Sequence, residues 1–441
     1  MLRTDEPGRR TGLPPGPKAP SPVQLAARFV GGSRFLRWCM RRYGDLFTLR
    51  MPGGEIVVGI ADPAAVKTVF TADSEALKVG VGGNALLEPL LGSSSLLLLD
   101  GGAHMRQRRL LLPPFHGQRM QRYGGLMKEI ADRSLEQWPR GEPFPLQPRM
   151  QAITLDVILR AVFGIEDAER QRELRAVLRS LLDLGQTRLP FLPWLRHWAR
   201  GSWVRFMHER EQLDELLYDE IARRRGEPDG AEREDIFSLL LQARYEDGSP
   251  MTDKELRDEL LTLLVAGHET TATALAWTFE LLFRNEGPRR RLLEELERGE
   301  ESYLEAVITE TLRLRPVIAQ LSRKTVTPFE LNGYAIPPDT LLAPSIYLIH
   351  RRPDIYPEPE AFKPERFLDN GPETYSWLPF GGGVRRCIGA SFAIFEIKVV
   401  LKTILERATL RPASSEPEPP VPRAVTFAPK HGAMALLEEL R

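Results

Sequence analysis

Thr252-Asp253-Lys254-Glu255 is a capping box, and no helix breaker follows it until Gly287-Pro288. A helix over that span would be roughly 50 Å long at 1.5 Å per residue, enough to cross a whole domain. Everything else must be arranged around it. Leu260–Ala266 is apolar apart from Thr262, and Ala272–Trp277 is nearly so, which makes this a core helix. Its middle is Gly267-His268-Glu269-Thr270-Thr271. Glycine inside a helix costs about 1 kcal/mol against alanine, and a buried carboxylate needs partners. A helix chosen for stability alone would avoid this notch, so it points to function. His268-Glu269 opens a zinc-protease HExxH pattern, but Ala272 stands where the second histidine is needed. His268, two residues before Thr270, faces another side of the helix.

The remainder reads as one domain, mainly α with a small β-rich part. The chain has 441 residues, and its 42% apolar and 27% charged content is that of a folded chain, not a disordered one. Residues 1–22 form a proline-rich lead-in, and 23–441 a single domain. Two β-like runs, Asp45–Met51 and Glu55–Ile60, are split by Pro52-Gly53-Gly54 as in a hairpin. A helical pattern then extends to about residue 315. A second β-like stretch covers 323–346, with Asn332-Gly333 as a two-residue turn. Lys+Arg and Asp+Glu are equal at 60 each, so no basic excess favours a nucleic-acid partner. Cys39 and Cys387 are too few for a disulfide framework, a four-cysteine zinc site or a cysteine-held cluster. A cytoplasmic setting is expected. MLRTDEPGRR lacks the apolar core of a signal peptide, and no run reaches the length of a membrane span.

Residues 380–389 read Phe-Gly-Gly-Gly-Val-Arg-Arg-Cys-Ile-Gly. Three glycines let the backbone approach something flat or bulky. Cys387 stands just before an apolar helix, Ile388–Leu405, whose N-terminus favours a thiolate, with Arg385 and Arg386 adding positive charge. A lone cysteine is usually buried and inert, and Cys39, in an apolar helix, fits that description. For Cys387 the spacing decides otherwise. Phe380, Gly381, Gly383, Arg385, Cys387 and Gly389 resemble the haem-binding signature of the cytochrome P-450 superfamily, and the resemblance covers essentially the whole chain.

That resemblance implies the cytochrome P-450 fold, with haem b between the long central helix and the cysteine loop and helix. It implies Cys387 as axial iron ligand, its thiolate favouring O–O cleavage. Glu269 and Thr270 resemble an acid–alcohol pair that manages protons for O2, with Ala266 and Gly267 beside the cofactor. Glu310 and Arg313, one helical turn apart, together with Arg366, resemble a structural triad bracing the cysteine loop. His104 and Arg108, i and i+4, resemble a propionate-binding pair, with Arg323 and Arg385 as further partners. Arg106, Arg109 and Arg386 would form a basic patch for an acidic electron donor. The substrate pocket would draw on Leu86, Ala266, Val317, Ile318 and Phe427, with residues 187–203 as a lid.

The implied reaction is R–H + O2 + 2e⁻ + 2H⁺ → R–OH + H2O on an apolar small molecule of fatty-acid, terpenoid or steroid-like character. No dinucleotide fingerprint follows a strand, so electrons from NAD(P)H would arrive through a separate ferredoxin and ferredoxin reductase, or a flavodoxin-type donor. Two rivals are a peroxide-driven peroxygenase, against which Glu269-Thr270 argues, and a non-catalytic haem sensor or carrier, which needs no proton relay.

Overall fold

The computed structural model describes residues 12–80, 84–115, 119–165, 167–185, 200–227, 233–423 and 425–441. Its axis is the expected helix, Asp253–Arg284, of 32 residues. The capping box is closed both ways: Glu255 N–H donates to the Thr252 hydroxyl, and Thr252 N–H donates to the Glu255 carboxylate at 2.8 Å. The helix ends at Arg284 because Asn285 leaves the helical region, and a second helix, Glu286–Glu297, departs from there. Residues on almost every side of the long helix are buried, as an all-round apolar pattern demands. Helix Leu146–Val157 lies along it as its most extensive neighbour.

The largest sheet has five strands in the order Leu46–Arg50, Ile56–Ile60, Thr340–Pro344, Arg323–Thr325, Leu77–Lys78. The first two are the expected hairpin, paired Leu46 to Ile60, with Gly53 and Gly54 at positive φ in the turn. Ile56–Ile60 runs parallel to Thr340–Pro344. Asn332 and Gly333 take φ of 49° and 80°, the two left-handed residues that a tight hairpin turn requires. The proline-rich lead-in is tied to this sheet. Thr48 N–H donates to Pro15 O at 3.0 Å, and its hydroxyl donates to Pro14 O at 2.7 Å. The first helix is Ser21–Tyr43, so the boundary expected between residues 22 and 23 falls inside it. The C-terminal hairpin, Pro420–Arg423 with Thr426–Pro429, returns to the long helix, where Trp277 Nε1 donates to Phe427 O at 2.8 Å. No helix among the described residues is long and apolar enough to cross a membrane.

Candidate functional site

The loop carrying Cys387 is closed and stapled before the cysteine is reached. Cys387 N–H donates to Phe380 O at 2.9 Å, closing the loop on itself. Upstream, Trp377 Nε1 donates to Thr309 O at 3.1 Å, and Leu378 N–H donates to His350 Nε2 at 2.7 Å. Because Nε2 accepts, the ring proton sits on Nδ1, which reaches Arg313 O at 3.0 Å. His350 is thus a neutral bridge from the helix Ser302–Leu314 to the loop, and burial drives its pKa down to about 3. Sequence reading missed it. An isolated histidine far from both motifs carries no local signal.

Two of the three glycines meet Phe70, Gly382 its aromatic ring and Gly383 its backbone carbonyl. A Cβ on Gly382 would lie 2.5 Å from that ring, and one on Gly383 would lie 2.1 Å from Phe70 O. Gly383 also has φ of +63°. Close packing against Phe70 thus requires glycine at 382 and 383. The cysteine helix begins at Ala390, two residues later than expected, because Ile388 and Gly389 form a turn.

The triad assembles fully. Glu310 and Arg313 are both fully buried and pair through Nε to Oε2 at 2.6 Å and Nη2 to Oε1 at 2.8 Å. Arg366 Nε reaches Glu310 Oε1 at 3.2 Å. The remaining donors of Arg313 go to the carbonyls of His350, Pro359 and Ala361 at 2.7, 2.8 and 3.1 Å. Every donor is used, which is what permits a charge at zero exposure.

Three arginines, Arg108, Arg323 and Arg385, converge with His104 beside the cysteine loop. His104 is buried on helix Gly101–Leu111, and its pKa falls to about 4 through burial and the charges of Arg385, Arg108 and Arg323. Burial and Arg385 push Arg323 down to about 10, and its guanidinium stacks 5.2 Å above Phe70. Arg385 bonds to Asp100 at 2.6 Å and to the carbonyls of Leu96 and Leu99. Among the described residues no carboxylate pairs with Arg108 or Arg323, so Asp100 faces an uncompensated cationic surplus. Cys387 feels Arg108 and Arg386, and the Gly389 N–H points to it. These favour the thiolate, yet burial outweighs them and the thiol pKa is raised. The N-terminal and arginine effects expected at this sulfur are present but are not sufficient in the protein alone.

On the long helix, the Thr270 hydroxyl donates to Ala266 O at 2.6 Å. Ala266 keeps an exposed surface in the middle of an otherwise buried helix, and Cys387, although closely surrounded by protein, also keeps accessible surface. Glu269 turns towards helix Leu146–Val157, where Gln151 and Gln147 donate to its two oxygens at 2.5 and 3.2 Å. Burial raises its pKa against those bonds and the charge of Arg423. His268 points to the same helix, 3.0 Å from the Thr154 hydroxyl. A Cβ on Gly267 would sit 3.1 Å from Ile158 Cδ1, so close approach of the neighbouring helix already accounts for this glycine. Gln147 and Gln151 were not singled out in the sequence because glutamine has no motif value.

Val317 and Phe427 meet where Phe427 N–H donates to Val317 O at 2.9 Å, with Ile318 half-buried beside them. The side chain of Leu86 and residues 186–199, most of the expected lid, lie outside the described residues. The expected basic patch is partly spent: Arg106 lies 4.2 Å over the Tyr245 ring, and Arg109 pairs with Glu246.

A dianionic cofactor with an iron that takes a soft ligand suits this arrangement. The cationic surplus supplies counter-charges for two carboxylates, and the sulfur lies within reach of the same field. The family model for cytochrome P450 matches residues 14–435. Cytochrome P450 135B1 of Mycobacterium tuberculosis is 42% identical over 428 residues, covering 96% of this chain and 90% of that protein. Cytochrome P450 138 of the same organism is 40% identical, covering 96% of both. Retinoic acid-bound cyanobacterial CYP120A1 superposes with a TM-score of 0.85 at 26% identity, over 97% of this chain and 99% of that one.

Proposed function

The chain belongs to the cytochrome P450 family and is a haem monooxygenase, and from that premise we propose that it oxygenates an apolar small molecule in the cytoplasm with electrons from a separate ferredoxin and reductase. The observation that carries the cofactor assignment is the set Arg108, Arg323 and Arg385 with buried His104, opposed among the described residues by Asp100. In this reading they would hold the haem propionates, and the Cys387 sulfur would ligate the iron. Haem iron, once bound, supplies the activation of O2.

The chain's own residues do the rest. Arg385 is held by Asp100 and two carbonyls, so its charge needs no reorganisation when an anion arrives. Thr270, its proton turned to Ala266 O, leaves lone pairs to accept a proton donor at the exposed notch. Glu269, whose pKa burial raises, is the nearby carboxyl, and it acts as the acid of the pair. Val317 and Phe427, joined by their backbone hydrogen bond, give an apolar wall that presents few groups to bind a polar substrate. An apolar substrate also accords with the retinoic acid named for the cyanobacterial relative. NAD(P)H is the ultimate electron source in this scheme.

The test is the optical spectrum of the dithionite-reduced protein under carbon monoxide, for wild type and Cys387→His. A strongly red-shifted Soret band present in the first and lost in the second supports the thiolate assignment. An unshifted wild-type band overturns it. Faster turnover with peroxide alone than with a ferredoxin couple would replace the monooxygenase reading of the donor by a peroxygenase.

A further inference from the structure

The first helix, Ser21–Tyr43, carries five arginines and no acidic residue in a chain whose overall charge is zero. Its inner face is settled. Leu36 and Cys39 are buried with Phe47 and Leu49 of the sheet. Gln24 is locked from both sides: Nε2 donates to Pro17 O and Ala19 O at 3.1 and 2.7 Å, and Oε1 accepts from Arg50 N–H at 3.0 Å. The helix therefore cannot roll to hide its outer side.

That outer side is the wrong kind for water. Before the break at Gly32 the exposed positions are Pro22, Val23, Ala26, Phe29 and Val30, three or four residues apart and all apolar. Phe29 is 72% and Val30 92% exposed. Gly32, at φ 49° and ψ −125°, breaks the helix directly after this strip, so Phe29 and Val30 stand at a corner. Beyond the break the exposed positions are Arg34, Trp38, Arg41 and Arg42. Trp38 stacks on Phe35 with centroids 5.9 Å apart and meets Tyr43 edge-on.

We propose that this helix is a docking surface for an anionic lipid bilayer, with Phe29 and Val30 entering the interface and Arg34, Arg41 and Arg42 on the headgroups. The helix itself carries charge of one sign, and although Arg37 is spent on Glu360 at 2.7 Å, Arg34, Arg41 and Arg42 stand exposed to match an anionic leaflet. The apolar strip is a narrow projecting corner of a few side chains, smaller than the ~800 Å² per partner of a stable protein interface, but of the kind an interfacial helix inserts. Tryptophan with arginine beside an apolar strip is the composition of a membrane–water boundary. The surface would bring the protein to the phase in which an apolar substrate collects.

The test is co-sedimentation of the full-length holoprotein with phosphatidylglycerol and with phosphatidylcholine vesicles. Expected is binding to the anionic vesicles alone, weakened by salt. Phe29→Ser/Val30→Ser should lower it by roughly tenfold or more. Arg34→Gln/Arg41→Gln/Arg42→Gln should lower it by roughly fivefold per arginine. These side chains are exposed, so an unchanged carbon monoxide spectrum checks that the variants are folded. No binding, or equal binding to both vesicles, overturns the proposal. So does concentration-dependent self-association abolished by the serine variant, which would make the occupant a second copy. Vesicle binding that appears only after deletion of residues 1–11 would assign the strip to the chain's own N-terminus and overturn it as well.

Discussion

Gln151 Nε2 lies 2.5 Å from Glu269 Oε2, so a neutral amide on one helix holds the carboxylate that interrupts the core of another. The choice of amide matters. An arginine there would hold Glu269 ionised, whereas an amide orients it and leaves burial to dominate its proton affinity. Gln147 adds a second amide, and its own Oε1 is buried without a partner. Turned over, that amide would accept from a protonated Glu269, so the pair accommodates both protonation states.

Gln151→Leu should therefore raise the titration midpoint of Glu269, because the bond that opposes burial is lost. The carboxyl stretch in infrared difference spectra, assigned with Glu269→Gln, reads it directly. A midpoint that stays put or moves down would show that Gln151 does not govern this carboxyl. Thr270→Ala should uncouple electron use from product formation, and full coupling in that variant would remove Thr270 from the proton path.

Arg313→Lys should behave as a loss, not a conservative change. Lysine, with three donors on a single nitrogen, cannot span the five bonds and would leave Glu310 Oε2 or the carbonyls of His350, Pro359 and Ala361 unsatisfied. Breaking a buried pair of this sort costs on the order of 3–5 kcal/mol. Urea unfolding and haem retention should both decline. His350→Leu should release the loop more selectively, since it frees Leu378 N–H and Arg313 O. Unaltered haem retention in His350→Leu would mean that the bridge does not brace the cysteine loop.

Gly383 and Gly389 should differ sharply when changed to alanine. Gly383 combines positive φ with Phe70 O at 2.1 Å from a Cβ, so the loop must move or fail. Gly389 has φ of −83° and nothing within 4 Å. Soluble, folded expression is expected for Gly389→Ala only. Equal tolerance at both positions would contradict the contact with Phe70.

Stability should peak near neutral pH. Burial lowers His350 to about 3 and His268 to about 4, so the unfolded chain takes up their protons first and stability falls as pH drops below 6.5. Glu259 has the opposite sign. Burial raises it to about 8, so the folded state holds that proton longer, and stability is lost as pH rises from 4.5 through 8. Each group contributes a slope of at most about 1.4 kcal/mol per pH unit within its window. Glu259→Gln keeps the acceptor for Leu96 N–H and should flatten the alkaline side of a urea-midpoint profile. A profile unchanged by that substitution would exclude Glu259 as its cause.

Much of this protein was written locally. The capping box of Thr252 and Glu255, the turn at Asn332-Gly333, the hairpin over Gly53-Gly54 and the one-turn spacing of Glu310 and Arg313 are all effects of residues a few positions apart. The sequence by itself determined these, together with the cysteine signature, because backbone preference and helical spacing act at short range. Only the tertiary structure decided which groups answer them across the chain. Gln151 finds Glu269 118 residues away, His350 finds Leu378 28 away, and Phe70 fills the space above Gly382. These partners are set by how helices and strands stack. A glutamine, a histidine and a phenylalanine acquire their roles from the enclosed, low-dielectric space they share, where each unsatisfied donor or misplaced methyl group costs free energy that water would otherwise have offset.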